Sequence, residues 1–240
     1  MPAVETLLVS GLIICLAAFA QSTTGFGFAL VAVPLLATVT EPQRAVVSVT
    51  AVSLLLSAWV GWRHRAALDR EAVIGYTWTG LLGMPVGLLV LLVVPSSALK
   101  FLVGVVVLLA VAGMLLQFRV SGRGWQIAAG LLGGALLTST GMNGPPIVIG
   151  LDARALPPAR FRATLQAIFG LQGVVAVGLF AAAGLVDREL GLLVIAYAVT
   201  LPIGWRLGAL LFDRLSPRQF RIGVLSMLVL SASVALVTAR

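Results

Sequence analysis

The sequence predicts an all-α, polytopic integral membrane protein built from two homologous, inverted repeats, each a broken helix or hairpin followed by three long transmembrane helices. Three observations predict it. The chain has 240 residues, of which 60% are hydrophobic and 10% charged, with a mean hydropathy of +1.11; a soluble domain carries about 25% charged residues. Several apolar runs reach the roughly 20 residues that cross a bilayer as a helix. Residue types also recur at a fixed offset between the two halves. Gly25 and Gly141, Pro42 and Pro158, and Arg44 and Arg160 are all 116 apart. Asp69-Arg70-Glu71 returns as Asp187-Arg188-Glu189 at 118, Pro85 and Gly87 as Pro202 and Gly204 at 117, and Phe101 and Gly104 as Phe220 and Gly223 at 119. Small loop insertions and deletions leave drifts of that size, so the pattern reads as an internal duplication. No gap between apolar runs is long enough for a folded extramembrane unit. Residues 1–240 are therefore one membrane domain, with repeat 1 over about 1–118, a linker at 119–124 and repeat 2 over about 125–240.

The elements follow in order. Residues 5–22 form a first apolar helix, which stops at the polar, glycine-containing stretch Gln21-Ser22-Thr23-Thr24-Gly25-Phe26-Gly27. Leu7 to Ala17 resembles a signal-peptide core and Ala18-Phe19-Ala20 a cleavage site, but the preceding residues carry Glu5 and no Lys or Arg; a retained helix is expected. A short apolar piece occupies about 28–39. Thr40-Glu41-Pro42 opens a long helix to about Trp62, with proline early in the first turn, where its missing donor costs nothing. Asp69-Arg70-Glu71 leads into a helix over about 72–94, and Pro95-Ser96-Ser97 separates it from another over about 98–118. The second half repeats this plan: a helix at 125–140, a break at 141–146, a short piece at 147–151, and long helices opened by Pro157-Pro158, Asp187-Arg188-Glu189 and Ser216-Pro217.

Lys and Arg decide how the halves are oriented, because cytoplasmic loops of membrane proteins are enriched in them. If each helix–break–short-piece unit returns to the side it started from, each half crosses an odd number of times. The cytoplasmic side then holds Arg63, Arg65, Arg70, Arg119, Arg123, Arg154, Arg160, Arg162, Arg206, Arg214, Arg218 and Arg221, and the outer side only Arg44, Lys100, Arg188 and Arg240. If each unit crosses once, the halves are parallel and that bias disappears. The inverted arrangement is expected, with both termini outside.

The two breaks are where the chemistry is expected. Glycine frees the backbone and proline cannot continue a preceding helix. Inside a bilayer such interruptions are tolerated only where protein or a water-filled cavity satisfies the exposed peptide groups. Paired interruptions at corresponding places in two halves point to a transport site. The first break offers Gln21, Ser22, Thr23, Thr24, Gly25, Phe26 and Gly27; the second offers Ser139, Thr140, Gly141, Asn143, Gly144, Pro145 and Pro146. Short helices that restart after the breaks present N–H groups and a partial positive charge, which suits an anion. Hydroxyls and amides add donors without permanent charge. The plain alternative is that the small residues only allow close helix packing. Gln166, Gln172 and Thr164 follow the second break and are further candidates for lining a cavity. Arg206, inside an apolar run, has two readings: a side chain snorkelling to the cytoplasmic surface, or an anion-attracting group at the inner mouth.

Other residues narrow the class. All eight carboxylates (Glu5, Glu41, Asp69, Glu71, Asp152, Asp187, Glu189 and Asp213) fall at expected helix ends or loops. Cation and proton pathways rely on carboxylates inside the membrane, so a carboxylate-based cation carrier is not expected. The single histidine, His64, stands between Arg63 and Arg65 in a loop. Cys15 is alone, which excludes an intrachain disulfide and a thiolate metal centre. Neither an enzyme nor a cofactor is expected. The net charge of +8 comes from arginines scattered at helix ends rather than a basic patch, so nucleic acid is not an expected partner. The lipid bilayer and a small anion are.

These residues also carry a family resemblance. Thr24-Gly25-Phe26-Gly27, Gly141-Met142-Asn143-Gly144-Pro145-Pro146, the Pro/Gly signature at 85–87 and 202–204 and the duplicated layout resemble the sulfite exporter TauE/SafE family, also described as the toluene-sulfonate uptake permease family. The resemblance covers essentially the whole chain. It implies a bacterial inner-membrane transporter of sulfite, sulfonates or related sulfur-containing anions. It leaves the substrate and the direction open, since members are proposed for both uptake and export. Asn143 stands where the first break has Gly27, so the two breaks are not chemically equivalent.

Overall fold

A computed structural model of the chain describes residues 4–63, 67–116, 120–212 and 217–238. His64, Arg65, Arg119, Asp213, Arg214, Ser216 and Arg240 lie outside the described residues, as do the side chains of Thr23, Thr24, Arg63, Arg218 and Arg221. The described residues form ten α-helices and no strand: α1 (Val4–Thr24), α2 (Phe28–Leu36), α3 (Pro42–Arg63), α4 (Arg70–Val93), α5 (Ser96–Leu116), α6 (Arg123–Thr140), α7 (Gly144–Asp152), α8 (Pro158–Ala182), α9 (Arg188–Phe212) and α10 (Pro217–Val237). Six of them, α1, α3, α4, α5, α8 and α9, are long and apolar enough to cross a membrane. The protein is an all-α, polytopic membrane protein.

Local chemistry sets the helix ends. Proline opens α3, α8 and α10, where the first turn needs no N–H partner. Asp69 and Asp187 cap α4 and α9: Asp69 Oδ1 accepts from the Ala72 N–H at 3.2 Å, and Asp187 Oδ1 from the Leu190 N–H at 2.7 Å. Glu71 and Glu189 in the following turns favour the positive helix ends. Two short elements differ from expectation. α2 stops at Leu36 rather than about 39, because Thr38, Val39 and Thr40 close into a turn whose N–H groups donate to Leu35 and Leu36 carbonyls. α7 starts at Gly144, not 147, because Pro145 and Pro146 have the φ a helix needs and form its first turn.

Packing is mainly between the two halves of the chain. α1 lies against α9, α6 against α4, α3 against α8 and α5 against α10. Glycine contacts give the directions. Gly61 faces Gln166 and Ala167, Gly170 faces Ser57 and Gly173 faces Leu54, so α3 and α8 run antiparallel. Gly11 meets Thr200, Gly204 meets Cys15 and Gly208 meets Phe19, so α1 and α9 run parallel. α4 and α6 are parallel too, through Gly83 with Leu131 and Gly87 with Ala135. A Cβ at Gly87 would fall on the Ala135 carbonyl oxygen, and one at Gly204 on that of Cys15. Small residues here let helix axes approach closely, as membrane bundles require. The outer surface carries exposed Leu8, Trp78, Leu82, Leu109 and Ile195, as a bilayer-facing surface should.

All seven described carboxylates sit at helix ends or in connections. At one end of the molecule Arg44 binds Asp187 at 2.8 Å and Glu189 at 3.1 Å. In a second cluster Arg154 binds Asp69 and Glu71, both at 3.2 Å. Each arginine joins one half of the chain to the start of a long helix in the other.

Candidate functional site

The first break is made by Gly25 and Gly27, at φ +78° and +119°. Left-handed backbone of this kind is strained for residues with a Cβ. The Gly25 N–H still closes the last turn of α1 on the Gln21 carbonyl at 2.8 Å. Gln21 is buried, and its Oε1 accepts from the Phe28 N–H at 2.9 Å, capping α2. One of the N–H groups expected to face an anion is therefore already occupied. The reason is geometric: the link at residues 25–27 is short enough for the Gln21 side chain, in the last turn of α1, to reach the first N–H of α2. The Gln21 Nε2 is buried without a hydrogen-bond partner among the described residues.

The second break uses the same backbone device. Gly141 has φ +75°, its N–H reaches the Leu137 carbonyl at 2.9 Å, and the Met142 N–H reaches Leu136 at 3.3 Å. This Schellman-type closure satisfies the end of α6. Asn143 occupies the N-cap of α7 but does not cap it. Its Nδ2 instead donates to Gln172 Oε1 at 2.8 Å, and Gln172 Nε2 donates to the Tyr76 carbonyl at 2.9 Å. Asn143 is 6% exposed and Gln172 fully buried, so α8 and α4 fix the amide's orientation. With Pro145 and Pro146 lacking N–H groups, the start of α7 offers only the amides of Asn143, Gly144 and Ile147.

The two breaks meet. Gln21, Phe26 and Gly27 from the first and Gly141, Met142, Asn143 and Gly144 from the second line one cavity of about 20 Å³, completed by Ala29, Leu30, Ser53 and Phe169. That is room for about one water molecule. Among the described residues no carboxylate, arginine or lysine lines it. Gln166 approaches from α8: its Nε2 donates to the Gly25 carbonyl at 2.6 Å, and its buried Oε1 has no partner among the described residues.

Other expected site residues are placed differently. Ser22, Ser139 and Thr140 direct their hydroxyl protons to carbonyls of their own helices, Phe19, Ala135 and Leu136, at 2.8, 2.7 and 2.8 Å. Thr164 accepts from the Asp69 N–H at 2.9 Å. Pro145 and Pro146 sit in the first turn of α7 and do not line the cavity. Arg206 is also away from it, in an apolar groove between α3 and α9. Three contributors were not visible in the sequence: Ser53 and Phe169 on the cavity wall, and the Tyr76 carbonyl that terminates the amide chain. Nothing local marks them; they are brought in by helices far away along the chain.

A family model described as Sulfite exporter TauE/SafE matches residues 10–235, nearly the whole chain. No curated protein and no solved structure gives a significant match. The chain belongs to the sulfite exporter TauE/SafE family, a family of membrane transporters.

Proposed function

We propose that this family member carries small sulfur-containing anions, such as sulfite or sulfonates, outward across the bacterial inner membrane, using the cavity at the paired breaks as its binding site. The observation that carries the reading is that breaks from opposite halves of the chain line one small cavity with neutral amides and, among the described residues, no carboxylate. An oxyanion accepts hydrogen bonds and needs donors. Gln21 Nε2 is a buried donor with no partner there, and Asn143 Nδ2 and the amides at the start of α7 are the others within the second break. An acidic residue would repel the same ligand. A neutral site is also sufficient energetically, because outward movement of one negative charge gains about 2.3 kcal/mol per 100 mV of inside-negative potential. The membrane potential or the proton motive force would supply the drive.

Two inverted repeats, over about 1–118 and 125–240 with both termini outside, complete the proposal. The antiparallel run of α3 and α8, which are counterparts in the duplication, supports inversion: parallel repeats would make them run the same way. The main helix pairings fit a two-fold relation between the halves, since exchanging them turns α1 with α9 into α6 with α4 and leaves α3 with α8 and α5 with α10 unchanged. A cavity holding about one water is too small for sulfite, so the breaks must separate to admit substrate. Inverted repeats offer a way to do that, by rocking one half against the other.

The test is flux in proteoliposomes under an imposed potential, comparing sulfite, a small sulfonate and a small carboxylate with and without a pH gradient. Potential-driven sulfite or sulfonate flux that Asn143→Leu and Gly25→Leu both abolish is the expected result. Preference for the carboxylate would move the substrate to other small anions, and flux only inward would make the protein an uptake permease. Absence of any flux from a folded wild-type protein would leave a non-transporting membrane scaffold.

A further inference from the structure

Between α3 and α9 the outer surface is indented by an apolar groove of about 330 Å³, with Leu55, Leu201 and Pro202 among its walls. Trp59 and Trp205 stand edge-to-face across it, ring centroids 5.6 Å apart and planes at 84°. Arg206 completes the lining and is exposed. Among the described residues no carboxylate forms an ion pair with it. All of this lies on a helix surface that faces lipid, and α9 continues to Phe212, six residues beyond Arg206. At 1.5 Å per residue the arginine therefore sits about 9 Å short of the helix end.

An unpaired cation at that depth is costly unless it finds an anion or reaches the interface, and tryptophans mark the headgroup level where lipid phosphates lie. We propose that this groove is a binding site for an anionic phospholipid, with Arg206 on the headgroup phosphate and one acyl chain lying along Leu55, Leu201 and Pro202. Two independent features select that occupant. The groove is apolar along its length, which suits an acyl chain and not a soluble ion. Among the described residues the only charge on its lining is positive and fork-shaped, which suits a phosphate bonded through two oxygens. Zwitterionic lipids also carry a phosphate, but their amine neutralises it; an anionic headgroup retains its charge. The preference expected from one arginine near the surface is about fivefold, corresponding to about 1 kcal/mol. Because Trp59 and Trp205 come from different halves of the chain, the lipid would bridge a seam between them. None of this depends on what the protein transports.

The experiment is lipid retention by native mass spectrometry on the purified full chain in neutral detergent. Dioleoyl phosphatidylglycerol is compared with dioleoyl phosphatidylcholine, and sodium phosphate with no added lipid serves as the soluble-anion arm. Wild type should retain phosphatidylglycerol about fivefold better than phosphatidylcholine. Arg206→Gln should erase that preference and Arg206→Lys should keep most of it. Equal retention of the two lipids by wild type overturns the proposal, as does a preference that survives Arg206→Gln. Displacement of phosphatidylglycerol by inorganic phosphate alone also overturns it, since the groove would then be a soluble-anion site.

Discussion

The two breaks share a backbone and differ in side chains. Gly25 and Gly141 have nearly the same φ, +78° and +75°, and each closes its helix on the carbonyl four residues back. Each also rests on a long helix of the opposite half: Gly25 beside Arg162 and Gln166 on α8, and Gly141 beside Val46 and Thr50 on α3. Thr50 is 116 residues before Gln166, the same offset that separates the glycines. Yet the long Gln166 amide reaches the Gly25 carbonyl, while Thr50 donates to Val46 at 2.8 Å in its own helix. The first break caps itself with Gln21; the second hands Asn143 to a chain of amides on α8. Backbone geometry is thus common to both, and chemical identity is set separately on each side. For the proposed anion site, this leaves two walls of different chemistry.

That comparison can be broken or sharpened by experiment. The largest effect is expected from Gln172→Leu, which strands the buried Asn143 Nδ2 and removes one of the two side-chain bonds to the Tyr76 carbonyl, leaving that from Thr79. At about 1–3 kcal/mol for the unsatisfied amide and about 0.5–1.5 kcal/mol for the lost bond to the carbonyl, unfolding in detergent should show a loss of about 2–4 kcal/mol. Gln166→Leu on the same helix strands only the Gly25 carbonyl and should cost about 1–3 kcal/mol. Equal losses would mean that the two breaks do not differ as described.

Alanine at the two glycines comes next. Left-handed backbone costs about 1–2 kcal/mol at either position. At Gly141 the new Cβ also lies 3.2 Å from Cγ2 of the fully buried Val33, whereas at Gly25 it meets the Arg162 side chain, which is exposed and can give way. Thermal melts should therefore place Gly141→Ala below Gly25→Ala. The reverse order would show that α8 holds the first break more rigidly than α2 and α3 hold the second.

Salt bridges should matter less. Arg44→Gln breaks pairs that are 42–61% exposed, and chemical denaturation should register at most about 1 kcal/mol. The smallest effect on flux is expected from Ser139→Ala or Thr140→Ala, whose hydroxyl protons go to their own helix. Bonds of that kind slightly destabilise helices; because both side chains are buried, the lost volume should cost about 1 kcal/mol, and flux should be kept. A large loss of flux from either variant would put the hydroxyls back among the groups that touch substrate.

Most of the fold was legible because a bilayer enforces it. Apolar runs, proline at 42, 158 and 217, and the Asp-Arg-Glu caps give nine of the ten helix starts to within about two residues. The exception was α7, where the Gly-Pro-Pro sequence read as a break and is also the first helical turn. Gly25 and Gly141 were legible as hinges, and Gln21 and Asn143 as polar groups beside them. What each amide bonds to was not. Gln166 reaches its partner across 141 residues and Gln172 across 96, and no local pattern encodes pairings so distant. Ser22, Ser139 and Thr140 look like free donors in sequence, because a hydroxyl's choice between ligand and helix carbonyl depends on its rotamer.

The crossed packing of the halves bears on how the protein is made. During synthesis α1 reaches the membrane long before α9, and α4 before α6, although these are their packing partners. The glycine-lined strip of α4 at Gly80, Gly83 and Gly87, shaped to receive the backbone of α6, faces lipid until the ribosome has delivered residues 123–140. The first half can pack α2 against α1 and α3, but its main pairings wait for the second. A truncation after residue 116 removes half of the protein and, with it, the surfaces that the remaining half needs in order to fold.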